Sequence, residues 1–290
     1  MTSPRLAAWC QRARYHEYRG HRVAYWEAGE GAPLLLIHGF PTAAWDWHRV
    51  WEELGARFRV VAMDMLGFGI SDKPDPYDYS ILDQADWVES LVHALGITEA
   101  HVMAHDYGDT VAQELLARHN RGVGPLSLAS LLLLNGGLFP ETHRPLLIQK
   151  LLLSPLGSWV GRCTNERIFR SRFSSVFAVS PTPEELGEFW WLVEYNAGRR
   201  VTHRLIRYMS ERVQYRERWV GALVDTPVPV RLVNGPLDPI SGRPMTDRYR
   251  ELVAGSDIIT LRGIGHYPQL EDPRGVLRAH AEFLAEKRAC

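Results

Sequence analysis

The chain has 290 residues, 46% hydrophobic and 23% charged, an ordinary globular balance with length for one large α/β domain or two small ones. Its 33 Lys and Arg against 34 Asp and Glu leave a formal net charge of −1, which excludes a chain built mainly to coat nucleic acid or anionic membrane, though not a local patch. Three cysteines, Cys10, Cys163 and Cys290, stand far apart with no CxxC pair, so no disulfide framework is expected and a reducing, cytoplasmic setting is the simpler reading.

The N-terminal stretch MTSPRLAAWCQRARYHEYRG has no apolar run of signal-peptide length. YHEYR (15–19) and HRVAYWEAG (21–29), joined at Gly20, predict an antiparallel hairpin. The short apolar runs PLLLIHG (33–39), FRVVAMD (58–64) and AHVMAHD (100–106) suit parallel strands buried on both faces. Between them, residues 80–95 place Ile81, Ala85, Val88, Leu91, Val92 and Leu95 at helical spacing, and 107–119 predict another helix. SLLLLNG (130–136) reads as a further strand, and the longest apolar stretch, 126–134, is too short to cross a bilayer. From about Gly137 to Leu223 the text is helical, Arg-rich and aromatic. Strands resume at 228–235 and 256–263, followed by a helix over about 273–287. The expected fold is α/β: a mostly parallel, doubly wound sheet, with a helical cap (137–224) inserted after the strand at 130–135 into a core of 1–136 and 225–290.

In open α/β sheets ligands sit beyond the carboxyl ends of the strands. After the 100–104 strand comes Ala104-His105-Asp106-Tyr107-Gly108, with small residues two before and two after Asp106. This is the pattern of a nucleophile elbow with Asp in the central place, although Asp is also a favoured helix N-cap. No G-x-S-x-G occurs in the chain. After the 228–234 strand stands Asp238, between Leu237 and Pro239, and after the 256–262 strand stands His266. Each alone reads as a turn or loop residue. Their conjunction, in the order nucleophile, acid, His, points to a catalytic triad. The loop His38-Gly39-Phe40-Pro41 offers the Phe40 N–H and the elbow offers the Tyr107 N–H, the pair an oxyanion hole needs. His38 itself reads as a packed, hydrogen-bonded loop histidine. Asp109 reads as a first-turn acid favoured by the helix dipole. Ser71, Asp72 and Lys73 read as a polar loop, and GRRVTHRLIR (198–207) as a solvated face.

HGFP (38–41), DMLGFGISDKP (64–74), AHDYGD (104–109), GPLDP (235–239) and GHYPQLEDP (265–273) resemble the epoxide hydrolase and haloalkane dehalogenase branch of the α/β-hydrolase superfamily. The resemblance covers nearly the whole chain. Within that branch, GGLFPETHRPLLIQKLL (136–152) and RERWVGAL (216–223) look like the mesoderm-specific transcript proteins.

The resemblance implies an α/β-hydrolase fold and a covalent mechanism. A carboxylate is ionised at neutral pH, its ordinary pKa being ~3.9, so it attacks without a base to activate it. Asp106 would open an epoxide or expel a halide to give an alkyl-enzyme ester, and His266, oriented by Asp238, would draw a proton from the water that hydrolyses it. Epoxide opening needs a donor for the departing alkoxide, a role the family gives to two cap tyrosines. Tyr208 stands about where the second belongs, while no Tyr occurs between Tyr107 and Tyr195 to match the first. The halide donors of dehalogenases, a Trp after the nucleophile and an Asn in H-G-N, are replaced by Tyr107 and Phe40. The balance favours epoxide over haloalkane, with a small apolar organic substrate and neither cofactor nor metal. A retired hydrolase scaffold that only binds ligand, and cofactor-free oxygenase chemistry, are the competing classes.

Overall fold

The computed structural model describes residues 2–288, so the expectation about Cys290 lies outside the described residues. Its sheet has strands β1 (Arg14–Tyr18), β2 (His21–Ala28), β3 (Pro33–Ile37), β4 (Arg59–Met63), β5 (Glu99–His105), β6 (Ser127–Leu134), β7 (Val230–Asn234) and β8 (Asp257–Thr260) in the order β1-β2-β4-β3-β5-β6-β7-β8. The expected hairpin is β1–β2, turned by Arg19 and Gly20 at φ 50° and 78°, the left-handed pair a two-residue hairpin turn demands. β2 runs antiparallel to β4, and β3 to β8 run parallel.

The buried-strand reading holds because both faces are covered. Leu35 and Ile37 of β3 join a core that includes Trp87 and Val88, whereas Leu34 and Leu36 join the core of Trp9, Trp47 and Phe283, as the period of two requires. Helices α1 (Pro4–Gln11), α2 (Trp51–Gly55), α3 (Ile81–Ala94) and α4 (Tyr107–Asn120) precede the helical block. Helix α1 was not expected from the sequence. It is short, capped by the Ser3 hydroxyl and pinned by one aromatic, Trp9, which stacks on Trp26 at 4.8 Å between ring centres and meets Trp51 edge-on. β6 begins at Ser127, a little before the expected 130, because Leu128 is buried beyond the continuous apolar run.

Between β6 and β7 lie α5 (Leu147–Leu153), α6 (Gly157–Cys163), α7 (Glu166–Ser174), α8 (Pro183–Glu194), a 3-10 segment (Tyr195–Arg200), α9 (Thr202–Leu205), α10 (Tyr208–Gln214) and α11 (Arg216–Val224). α12 (Arg243–Leu252), α13 (Pro268–Glu271) and α14 (Pro273–Arg288) complete the chain. The run 198–207 departs from the expected solvated face: Val201, Leu205 and Ile206 are buried, an i, i+4 stripe interleaved with arginines. Arg204 and Arg207 reach Asp75 and Asp78 at 3.2 and 3.1 Å, and the Ile81 N–H donates to Glu211 at 2.9 Å, so α9 and α10 are tied to the loop before α3.

One contact decides how α4 meets the sheet. A Cβ on Gly108 would lie 2.3 Å from the Ile37 carbonyl oxygen, so this helix reaches β3 only with glycine there. Gly108→Ala is expected to lower stability by about 1–3 kcal/mol, read as a fall in the urea midpoint with an unchanged slope.

Candidate active site

Asp106 is the residue directly beyond β5, with φ 48° and ψ −102°, a conformation L side chains hold only when their surroundings enforce it. Its N–H donates to the Leu134 carbonyl at 3.2 Å. The helix-cap alternative for this residue fails, since the side chain makes no capping bond to α4. It turns instead toward the loop after β3, where the Phe40 N–H donates to Asp106 Oδ2 at 3.1 Å. Gly39 makes that approach possible, because a Cβ there would sit 2.6 Å from His105 Nδ1. Tyr107 opens α4, so its N–H has no partner within the helix. His38 takes the expected structural place: Nε2 accepts from the Met65 N–H at 3.1 Å, which leaves Nδ1 to donate to the Gly39 carbonyl at 2.8 Å. The polar loop is likewise built in, with Ser71 linking the Ala24 N–H to the Asp64 carbonyl.

Asp238 and His266 meet across the ends of β7 and β8, His266 Nδ1 lying 2.8 Å from Asp238 Oδ2. A carboxylate only accepts, so Nδ1 carries the proton and Nε2 is the basic nitrogen. Asp238 is saturated by Asn135 (2.9 Å), Ser241 (2.7 Å) and the Ile240 N–H (2.7 Å). Burial works to raise the Asp238 carboxyl, but the charge and hydrogen bond of His266 outweigh it and hold the group at about 2. Burial likewise works to lower His266, and the Asp238 carboxylate, aided by Asp106, lifts it to about 8. Glu271 shapes the His loop from behind, accepting from the N–H groups of Gly265, Tyr267, Ala178 and Val179.

Asp106 and His266 both line a cavity of about 120 Å³. Its other walls are mostly apolar, among them Phe40, Phe173, Ile168 and Tyr267. Tyr208 is not one of its lining residues: its ring packs on Tyr107 at 4.9 Å and Phe40 at 5.9 Å, and its buried hydroxyl has no hydrogen-bond partner.

Sequence reasoning missed the polar groups behind Asp106. Arg212 is 3% exposed, donates to the Asp106 carbonyl at 3.0 Å and to Thr110 at 2.7 Å, and stands 3.7 Å from Asp106 Oδ1. The available signal was its place one helical turn after Tyr208, over whose ring it lies. Arg212 Nη1 and both ring nitrogens of His143 are buried without partners. Burial, with Arg212 close by, pushes His143 down to about 4, so that ring is neutral at pH 7. Among the described residues no group of His, Cys, Asp and Glu is arranged to hold a metal ion, and no helix is long and apolar enough to cross a membrane.

An eight-stranded sheet of this order, with an acidic elbow, an Asp–His pair at the following strand ends and a helical insertion after β6, has the architecture of an α/β hydrolase. The chain matches the alpha/beta hydrolase fold family over residues 32–273 and belongs to it. Across 97% of its length it is 44% identical to mesoderm-specific transcript protein of Mus musculus, spanning 88% of that protein. Among solved structures it is similar to haloalkane dehalogenase DbeA from Bradyrhizobium elkani USDA94, with a TM-score of 0.79, 22% identity, and 96% and 98% of the two chains covered. It is also similar to epoxide hydrolase CorEH, with a TM-score of 0.77, 21% identity, and 94% and 98% covered. At such identity these two structures show the shared fold.

Asp109 is fully buried in the first turn of α4, where it faces the end of β6 as well as the helix N-terminus. Burial, with Asp106 nearby, raises its carboxyl well above the ordinary 3.8. Wild type must therefore take up a proton to fold above that pH, and an isosteric amide need not. Asp109→Asn is expected to keep its fold and to gain stability relative to wild type as the pH rises above 4 in thermal melts. A variant that loses several kcal/mol at neutral pH would mean Asp109 is ionised in the folded protein.

Proposed function

We propose that the protein is an epoxide hydrolase-like enzyme for small to medium apolar substrates, working through an alkyl-enzyme ester on Asp106. The observation that carries this reading is an elbow carboxylate seated on the Phe40 N–H, on the wall of an apolar cavity that also holds His266. In this reading residues 137–224 are the cap and 1–136 with 225–290 the core, with the substrate held between them.

Oδ2, bonded to the Phe40 N–H, becomes the ester carbonyl oxygen and Oδ1 is the attacking atom. Attack forms the Oδ1–carbon bond and breaks the epoxide carbon–oxygen bond, and the alkoxide takes a proton from the Tyr208 hydroxyl, which has no other partner and must turn into the cavity for this step, since Tyr208 is not among its lining residues. Arg212, over the Tyr208 ring, provides a fixed positive charge that favours the phenolate left there. His266 Nε2 then takes a proton from water as the water adds to the ester carbonyl carbon. The oxyanion rests on the Phe40 and Tyr107 N–H groups until the alcohol oxygen departs, taking a proton back from His266, and the proton on the resulting Asp106 carboxyl returns to the Tyr208 phenolate, which restores both residues. A second reading, haloalkane dehalogenation, draws on the unpartnered Arg212 Nη1 as a candidate halide donor. Against it, Phe40 has no side-chain donor and Tyr107 is buried beside Phe68.

The test is intact-mass spectrometry of His266→Gln after incubation with epoxide and haloalkane panels. An adduct equal to the whole epoxide, mapped to Asp106, is expected. A gain of the alkyl halide less HX selects the second reading, and no adduct from either panel removes both.

His266 acts as a base only when neutral, and the Asp106 charge that helps lift it to about 8 is lost in the ester, so single-turnover hydrolysis of the ester is expected to rise with pH, reach half its maximum below pH 8 and level off above it. In Asp238→Asn the midpoint should fall toward the ordinary histidine value of 6.5, with the plateau lowered by about 10²–10⁴-fold. A midpoint unmoved by the substitution would separate Asp238 from the base.

A further inference from the structure

The surface around α5 and α6 has no partner in the fold. Leu147, Leu156 and Trp159 are 65%, 64% and 66% exposed, and Leu151 is 41% exposed. Scattered exposed leucines are ordinary, but large apolar residues gathered on two adjoining short helices mark an interaction surface. The charge of the segment that carries them is one-sided. Residues 142–183 hold six Lys or Arg and one Glu, a net +5 in a chain of net −1, so the remainder carries −6. That single Glu166 is already paired with Arg170 at 2.6 Å. Arg144, Lys150, Arg162, Arg167 and Arg172 are all exposed.

We propose that this face docks on an anionic lipid bilayer, with the leucines and Trp159 seated among the headgroups and the cations against lipid phosphates. Apolar residues with Trp, flanked by Lys and Arg, are the composition that binds at the interface without crossing it. The acidic remainder is repelled by the same surface, which orients the molecule with α5 and α6 toward the lipid. A second copy suits the patch poorly, because a two-fold interface sets each patch against itself and brings like charges together. The cavity reaches this part of the insertion, since Leu152 of α5 and Gly161 of α6 line it together with the exposed Ile168 and Arg172 of α7. An apolar solute dissolved in the bilayer then has a short path to Asp106. The docking does not depend on the chemistry proposed for Asp106, and a protein that turns over nothing would still dock.

Co-sedimentation with phosphatidylcholine vesicles, with and without phosphatidylglycerol, tests this. Two double variants address the two halves of the surface: Leu156→Ser with Trp159→Ser, and Lys150→Glu with Arg162→Glu. All four side chains are exposed and none lines the cavity, so thermal midpoints should stay at the wild-type value. Wild type is expected to sediment with the anionic vesicles and to be released by salt, with each double variant binding at least about tenfold more weakly. Binding that is absent in wild type, or equal in the variants, overturns the proposal. So does a lipid-free dimer, seen by sedimentation velocity, that the Leu156 and Trp159 substitutions dissolve.

Discussion

The architecture depends on how little room surrounds Asp106. A left-handed backbone at a β-branch-free but bulky residue costs about 1–3 kcal/mol, and it persists only where neighbours leave no alternative. Here β5 delivers the residue, the Leu134 carbonyl takes its N–H, and α4 leaves at once in a new direction. Two close approaches make this possible, Gly108 against the Ile37 carbonyl and Gly39 against His105. With the backbone so held, the carboxylate is presented to the Phe40 N–H instead of capping its own helix. The sheet core on both faces, β3 above all, is the support that makes the turn affordable.

Charge is managed around that turn by pairing and by neutralisation. His266 and Asp238 stabilise each other's charged forms against the cost of burial, and Asn135, Ser241 and the Ile240 N–H complete the carboxylate's partners. Arg212 sets a cation close to the Asp106 carboxylate, while Asp109, equally buried and one turn into α4, is driven toward its neutral form. His143 is held neutral too. Buried groups this close cannot all be charged independently. The pattern leaves unpartnered polar atoms of Arg212, His143 and Tyr208 in the neighbourhood of Asp106, where unsatisfied groups are tolerated only at a cost that function or a bound molecule explains.

The fold and the strand-end residues were legible because they rest on local signals. Continuous runs such as PLLLI and RVVAM mark strands buried on both faces, and Asp106, Asp238 and His266 stand in the segments that directly follow β5, β7 and β8. Conjunction in chain order supplied what no single residue did. The polar groups behind Asp106 were less legible because they depend on long-range placement. Arg212 stands 106 positions from Asp106, in text where one more arginine among many carries no mark. Helix α1 escaped for a related reason, since eight residues with a single large aromatic have too short a pattern to read, and their stability comes from Trp26, Trp45 and Trp51. The run 198–207 misled because its arginines hide the buried stripe of Val201 and Leu205.

The helical insertion answers to constraints on two sides at once. Its inner side must close the cavity over the sheet, and Leu146, Ile148 and Leu152 do so with ordinary apolar burial. Its outer side has no such obligation, and a helix free on that side would normally carry Lys, Glu and Gln there. In α5 and α6 the outer positions are Leu147, Leu151, Leu156 and Trp159 instead, while acidic residues are almost absent from the surrounding segment. Elsewhere the same insertion spends its arginines on ion pairs, Arg204 with Asp75 and Arg207 with Asp78. Packing and ion pairs against the rest of the fold therefore account for the buried stripe and the arginines around α9, whereas cavity closure accounts for only the inner half of α5 and α6, and the composition of their outer half is what docking on a bilayer would require.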